Sequence, residues 1–316
     1  MPTICSDIQF IETRWRGCIP PETVFDLWEV RLAFHRQYRR PLRMVYTADC
    51  TTFLPLAWVE ERQAWCCFPG ETWHHKTWLE QNRLLCGALT TDQMTETVGA
   101  DLHLRYLRPE GAAAGLPVDD TGYLFIPGQY GYRLENWWNS FSTRRRKQLR
   151  RELKVLDRLQ CRIGTDCENR FDWLVDHSME RFGQDSYFSD PRFREGFHAM
   201  LALLADRGLL RVTTILDGTT IAAVDVGAVY NQRYTLLAGA ATTALPGVAK
   251  LINLQHLQWA CEEQLQEVDF LCGDCSWKSL FHLTARPLPL FSSAAVPTVQ
   301  QSPETRSTSH AEHPHQ

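Results

Sequence analysis

Residues 233–255, RYTLLAGAATTALPGVAKLINLQ, read as a β-strand, a polar pause, a Pro-Gly pair and the first turns of a helix. The first four N–H groups of a helix have no partner within it, and the aligned peptide dipoles place partial positive charge there. Such an entrance receives an anion when its side chains allow close approach. Leu245, Gly247, Val248, Ala249 and Lys250 meet that condition: glycine lets the backbone turn, alanine adds no bulk and lysine adds charge. The plainer alternative is an ordinary helix start, where Pro and Gly are common. Working outward, LLRVTTIL (209–216), TTIAAVDVGAVY (219–230) and RYTLLAGAA (233–241) are strands joined by the turn residues Asp217-Gly218 and Asn231-Gln232. The helix continues to about residue 265, and EVDFLCG (267–273) reads as another strand.

The chain of 316 residues is long enough for two domains. With 44 % hydrophobic and 22 % charged residues and a formal net charge of −4, it is an ordinary globular protein with no global attraction to polyanions. The N-terminal stretch has no signal-peptide layout and no apolar run spans a bilayer, so the expected location is the cytoplasm. Eleven cysteines at irregular spacing are read as mostly reduced. Cys272-Gly-Asp-Cys275 has no second pair to complete a zinc site, and Glu71, His74 and His75 have no further ligand at a suitable spacing. No metal is expected.

Before residue 135, strand-length apolar runs occur at 43–49, 53–59, 63–69, 102–107 and 122–127, preceded by a helix near 21–38. Centrally, 140–159 is a helix with Leu149, Leu153 and Leu156 on one stripe. Helices near 168–183 and 191–207 follow, and a tail from 293 is rich in Ser, Thr, Pro and His. The fold class is α+β.

The order of hairpin strands, glycine-marked helix entrance, helix and strand resembles the GNAT acyltransferase superfamily. Within it the chain resembles the cellulose-biosynthesis-type acetyltransferase group, which is similar to the Fem-type aminoacyltransferases. The resemblance rests on WNSFSTRRRKQLRRELKVLDRL (138–159), LLRVTTILDGTTIAAVDVGAVYNQRYTLLAGA (209–240), LPGVAKLINLQHLQWACEEQ (245–264) and VDFLCGDCSWK (268–278). It implies a mixed central sheet flanked by helices and two GNAT-like domains in tandem: a degenerate one over 1–137 and an acyl-CoA-binding one over 138–292, then the tail over 293–316. It further implies acetyl-CoA or another acyl-CoA as co-substrate, with the pantetheine between two splayed strands and the pyrophosphate on the following helix entrance. Trp277 precedes Lys278 where the family usually has a Tyr-Lys pair.

Acyl transfer needs an uncharged amine or hydroxyl nucleophile, a donor that polarises the carbonyl and a proton route to the leaving thiolate. Asp225, an acid inside an apolar strand, is a candidate base, or else it lies on a polar strand face or pairs with an arginine. Tyr230 beside the hairpin turn is a candidate proton donor, and Asp274 and Lys278 lie past a strand end, where they either serve catalysis or pair with each other. The run Arg144, Arg145, Arg146, Lys147, Arg150, Arg151, Lys154, Arg158 is either a solvated face or a local anion surface. The function expected is N- or O-acyl transfer to a small-molecule or saccharide acceptor. The alternatives are a Fem-like transferase using aminoacyl-tRNA, the one case that engages nucleic acid, and a non-catalytic binding protein on the same scaffold. The oligomeric state is not readable from the sequence.

Overall fold

The computed structural model describes residues 2–74, 76–165, 168–273 and 277–293. In the first half, strands β1 (Thr3–Cys5), β2 (Leu42–Tyr46), β3 (Thr52–Val59), β4 (Ala64–Cys67) and β5 (Leu85–Cys86) form an antiparallel sheet in the order β1-β2-β3-β4, with β5 also on β3. Helix α1 (Ile8–Cys18) was not expected. Asp7 caps it by accepting the Phe10 N–H at 2.7 Å, and Ile11, Trp15 and Cys18, spaced i, i+4, i+7, turn inward. A disulfide joins Cys18 to Cys50, so this pair departs from the reduced state expected of most cysteines. Helix α2 (Trp28–Tyr38) starts later than the expected 21–38, because Thr23 and Asp26 close a separate short turn ahead of it. Helix α3 (Thr91–Val98), also unexpected, begins at a capping box of Thr90 and Gln93.

A seven-stranded mixed sheet dominates the second half. It uses β7 (Val118–Phe125), which follows the two-residue strand β6 (His103–Leu104), then β8 (Gln160–Gly164), β9 (Leu210–Asp217), β10 (Thr220–Tyr230), β11 (Arg233–Ala241), β12 (Glu267–Asp269) and β13 (Thr284–Pro289). Their order is β13-β7-β12-β11-β10-β9-β8, and a last strand, β14 (Phe291–Ser292), returns to pair with β6. The expected boundary at 137 is therefore not where the sheets divide. β7 belongs to the second sheet because its apolar residues Leu124 and Phe125 face the core beside Val268.

Helices α4 (Leu134–Asn139), α5 (Thr143–Lys154), α6 (Glu168–Phe182), α7 (Pro191–Asp206), α8 (Val248–Glu262) and the single turn α9 (Trp277–Leu280) flank this sheet. α5 is shorter than the expected 140–159; past Lys154 the chain makes a turn that buries Leu156. α2 and α7 join the halves. A Cβ on Gly196 would lie 2.9 Å from the Phe34 ring, so the helices approach to a distance that only glycine allows, and one apolar core runs from Phe25 and Phe34 to Phe193, Phe197 and Leu204. Among the described residues no helix is long and apolar enough to cross a membrane.

Candidate active site

β11 and β12 run parallel, but they pair only over Arg233–Thr235 and Glu267–Asp269. The expected strand 267–273 stops at Asp269: the Phe270 N–H donates to Tyr123 of β7, and Leu271, at φ 57°, bends the chain away. β11 continues to Ala241, so along Leu236–Ala241 its outer edge has no strand partner among the described residues. A bulge in the β10–β11 pairing, where Val226 opposes Ala238 but Gly227 opposes Leu236, frees Leu237 from regular pairing at the start of this edge. The two strands splay apart there, leaving a slot along which the described residues offer this edge no strand pairing.

The slot leads into the entrance of α8. Gly247 is its N-cap at φ 91°, a conformation strained for any side chain, and no side chain caps the helix. Val248 buries its side chain beneath the sheet, Ala249 is exposed and Leu245 is half-buried. Lys250 does not stand free: its Nζ donates to Glu152 Oε2 of α5 at 2.5 Å, which holds the Glu152 carboxyl below its ordinary range. Leu156 lies 3.5 Å from where a Gly247 side chain would begin.

Asp225 points beneath the sheet toward α8, where His256 Nε2 donates to its Oδ2 at 2.8 Å; where the sequence left an arginine as one possible partner, the structure supplies a histidine. Gly239 stands opposite, and a Cβ there would fall 2.1 Å from the carboxylate. The buried Tyr234 ring packs on His256 in the same space, and burial and then the charge of Asp225 push its phenol well above the ordinary value. Tyr230 is half-buried at the hairpin turn opposite Arg233, toward the closed end of β11, away from the slot. Asp274 lies outside the described residues, as do His75 and Cys275.

Lys278 is buried, and its Nζ donates to the carbonyls of Leu271 at 3.0 Å and Cys272 at 2.7 Å. It thus grips the bend that opens the slot.

Residues from the first half, which sequence reasoning passed over, reach the same bend. Glu80 Oε1 accepts the Cys272 N–H at 2.6 Å, and Gln81 Nε2 donates to Asp269 Oδ2 at 2.8 Å. Arg286 of β13 donates to the same Asp269 oxygen at 2.7 Å. Burial and the neighbouring charge of Asp269 push the Glu80 carboxyl up to about 7. Burial and then Glu80 push the Cys272 thiol far up, so it stays protonated and is no nucleophile. Among the described residues no cluster of His, Cys, Asp or Glu could hold a metal ion.

Residues 143–279 match the family described as Acetyltransferase (GNAT) domain. They are a GNAT acetyltransferase domain. The chain therefore carries an acyltransferase domain of the superfamily that the order of its elements resembles. The domain runs from the start of α5 to α9 and includes the splay of β11 and β12 described above. Solved structures with the same fold include a conserved protein of unknown function from Bacteroides thetaiotaomicron, at TM-score 0.59 and 11 % identity over 92 % of this chain and 99 % of that one. FemX has a TM-score of 0.56 at 10 % identity, covering 92 % of this chain and 96 % of that one. L-PGS from Bacillus licheniformis has 0.55 at 12 %, covering 92 % and 94 %. These likenesses extend over both halves, so the first half is part of a shared architecture. No curated protein matches the sequence.

Proposed function

We propose that this GNAT domain transfers an acetyl or other acyl group from acyl-CoA to an amine or hydroxyl on a small-molecule or saccharide acceptor, in the cytoplasm. The observation that carries this reading is the unpaired edge Leu236–Ala241 leading directly into the Gly247-capped entrance of α8. An extended amide-bearing chain finds backbone donors and acceptors along that edge, as an added strand would. At the entrance the Val248 N–H donates to the Leu245 carbonyl at 3.2 Å and the Lys250 N–H to the Gly247 carbonyl at 2.9 Å, which leaves the Ala249 N–H and the helix dipole to face a pyrophosphate. Acyl-CoA supplies the activated thioester; the chain's own part is to orient it, and the bulge at Leu237 offers a backbone N–H to polarise its carbonyl. Lys278 and the Leu271–Gly273 bend fix the far wall.

Thermal unfolding with acetyl-CoA, free CoA and neither tests this. Ligand at about 100 times Kd stabilises by roughly 2.7 kcal/mol. Gly247→Trp, and Ala249→Trp at an exposed position that tolerates the bulk, should lose the shift. A shift that both variants keep would refute the assigned site.

One observation favours a second reading, an aminoacyl-tRNA donor as in Fem-type transferases. Lys250 is committed to Glu152, whereas Arg144, Lys147, Arg150, Arg151 and Lys154 of α5 are exposed. No response to acetyl-CoA, together with tRNA binding that weakens steeply with salt, would select it.

A further inference from the structure

The bend after β12 is held from four directions. Asp269 Oδ1 accepts the Leu271 N–H at 2.9 Å, Lys278 donates to the Leu271 and Cys272 carbonyls, the Tyr123 N–H of β7 donates to the Leu271 carbonyl at 3.2 Å, and Glu80 accepts the Cys272 N–H at 2.6 Å. The first two restraints come from the GNAT domain itself, the third from β7, and the fourth from the segment between β4 and β5. Leu271 is left-handed at φ 57°, a conformation that costs a side-chain-bearing residue free energy and persists only when its surroundings impose it. Gln81, next to Glu80, is also left-handed at φ 57° and spends its side-chain amide on Asp269. A strained residue thus stands on each side of the junction of the halves, and the hydrogen bonds Glu80–Cys272 and Gln81–Asp269 cross between the two segments. Relaxed to an extended conformation, Leu271–Gly273 would continue β12 alongside Leu236–Ala241 and zip the slot shut, because both strands already run parallel in register up to Thr235 and Asp269.

We propose that Glu80 is a positioning residue that holds the donor slot of the GNAT domain open by clamping the backbone N–H of Cys272. This inference rests on the reading of the slot as the acyl-donor site. It assigns the first half of the chain a part in donor binding, since the pair Glu80-Gln81 reaches the strand end where the slot begins. Glu80 does not itself touch the donor; it acts through the bend.

The test uses the full chain and four proteins: wild type, E80Q, E80D and E80A. Gln keeps an acceptor at the same reach. Asp keeps the charge but withdraws it by one methylene, and remains available if the alanine variant does not fold. Amide hydrogen exchange without ligand reports the clamp, and acetyl-CoA affinity reports the slot. The expected result is faster exchange over residues 270–273 and roughly tenfold weaker acetyl-CoA binding in E80D and E80A, the worth of one hydrogen bond, with E80Q close to wild type in both. Unchanged exchange in E80D and E80A would overturn the clamp. Faster exchange with unchanged affinity would overturn its link to the slot. If exchange responds but wild type binds no acetyl-CoA, the acyl-CoA reading falls and the slot role with it, while the restraint on the bend stands.

Discussion

At the scale of single residues, the interior of the GNAT domain is arranged around buried polar groups that glycines make room for. Asp225 and Tyr234 occupy volume that side chains at Gly239 and Gly227 would fill, with a Cβ at Gly227 only 2.3 Å from the Tyr234 ring. The acid in the apolar strand was legible in the sequence; its histidine was not, because His256 is one more polar residue on a helix until the sheet places it 2.8 Å from Asp225. Glu80 carries a pH signature. Its carboxyl moves from 4.5 to about 7 on folding, so between those values the native state holds a proton that the unfolded chain has released. Stability from this group is therefore full below pH 4.5 and is lost as pH rises through about 7. Urea unfolding from pH 4.5 to 8 should show this decline in wild type and a flatter curve in Glu80→Gln. Equal slopes would mean that Glu80 is ionised throughout the range.

At the scale of elements, α8 and α5 together set what the helix entrance offers an anion. The sequence suggested Lys250 as an added positive charge, but the structure closes it onto Glu152 at 2.5 Å. A half-exposed pair of this kind contributes about 1 kcal/mol or less to stability. Its larger effect is to cancel charge at the entrance. Glu152→Gln should therefore leave the unfolding midpoint nearly unchanged and tighten acetyl-CoA binding by about two- to fivefold at low salt, with the gain fading as salt rises. Calorimetric titration of both proteins checks this, and equal affinities would show that Lys250 takes no part in anion binding. The strand 267–273 shows why the slot itself was hidden. Its apolar run continues through Phe270 and Leu271, and periodicity carries no mark of the left-handed residue where pairing stops.

At the scale of the whole molecule, the two halves are interwoven and do not simply follow one another. β7 lies between β12 and β13, and β14 crosses back to β6. A fragment of residues 138–316, cut at the boundary the sequence suggested, lacks β7, which leaves β13 without a neighbour and β12 paired on one side only. It should not fold, whereas the full chain should unfold in one cooperative step; circular dichroism and size-exclusion chromatography distinguish the outcomes. A soluble, folded fragment would show that the halves are independent.

The sequence alone determined the α+β class, the hairpin strands, the helix behind Gly247 and the resemblance to GNAT acyltransferases, because these follow from local periodicity, turn chemistry and the order of elements. It placed the division of the chain at 137, where the sheets do not divide, and it left the partner of Asp225, the engagement of Lys250 and the role of Glu80 undecided. Each of those is a contact between residues far apart in the chain: Glu80 and Cys272 are 192 positions apart, and Glu152 and Lys250 are 98. Whether such groups meet depends on how the two sheets pack, and only the tertiary structure brings them within hydrogen-bonding distance.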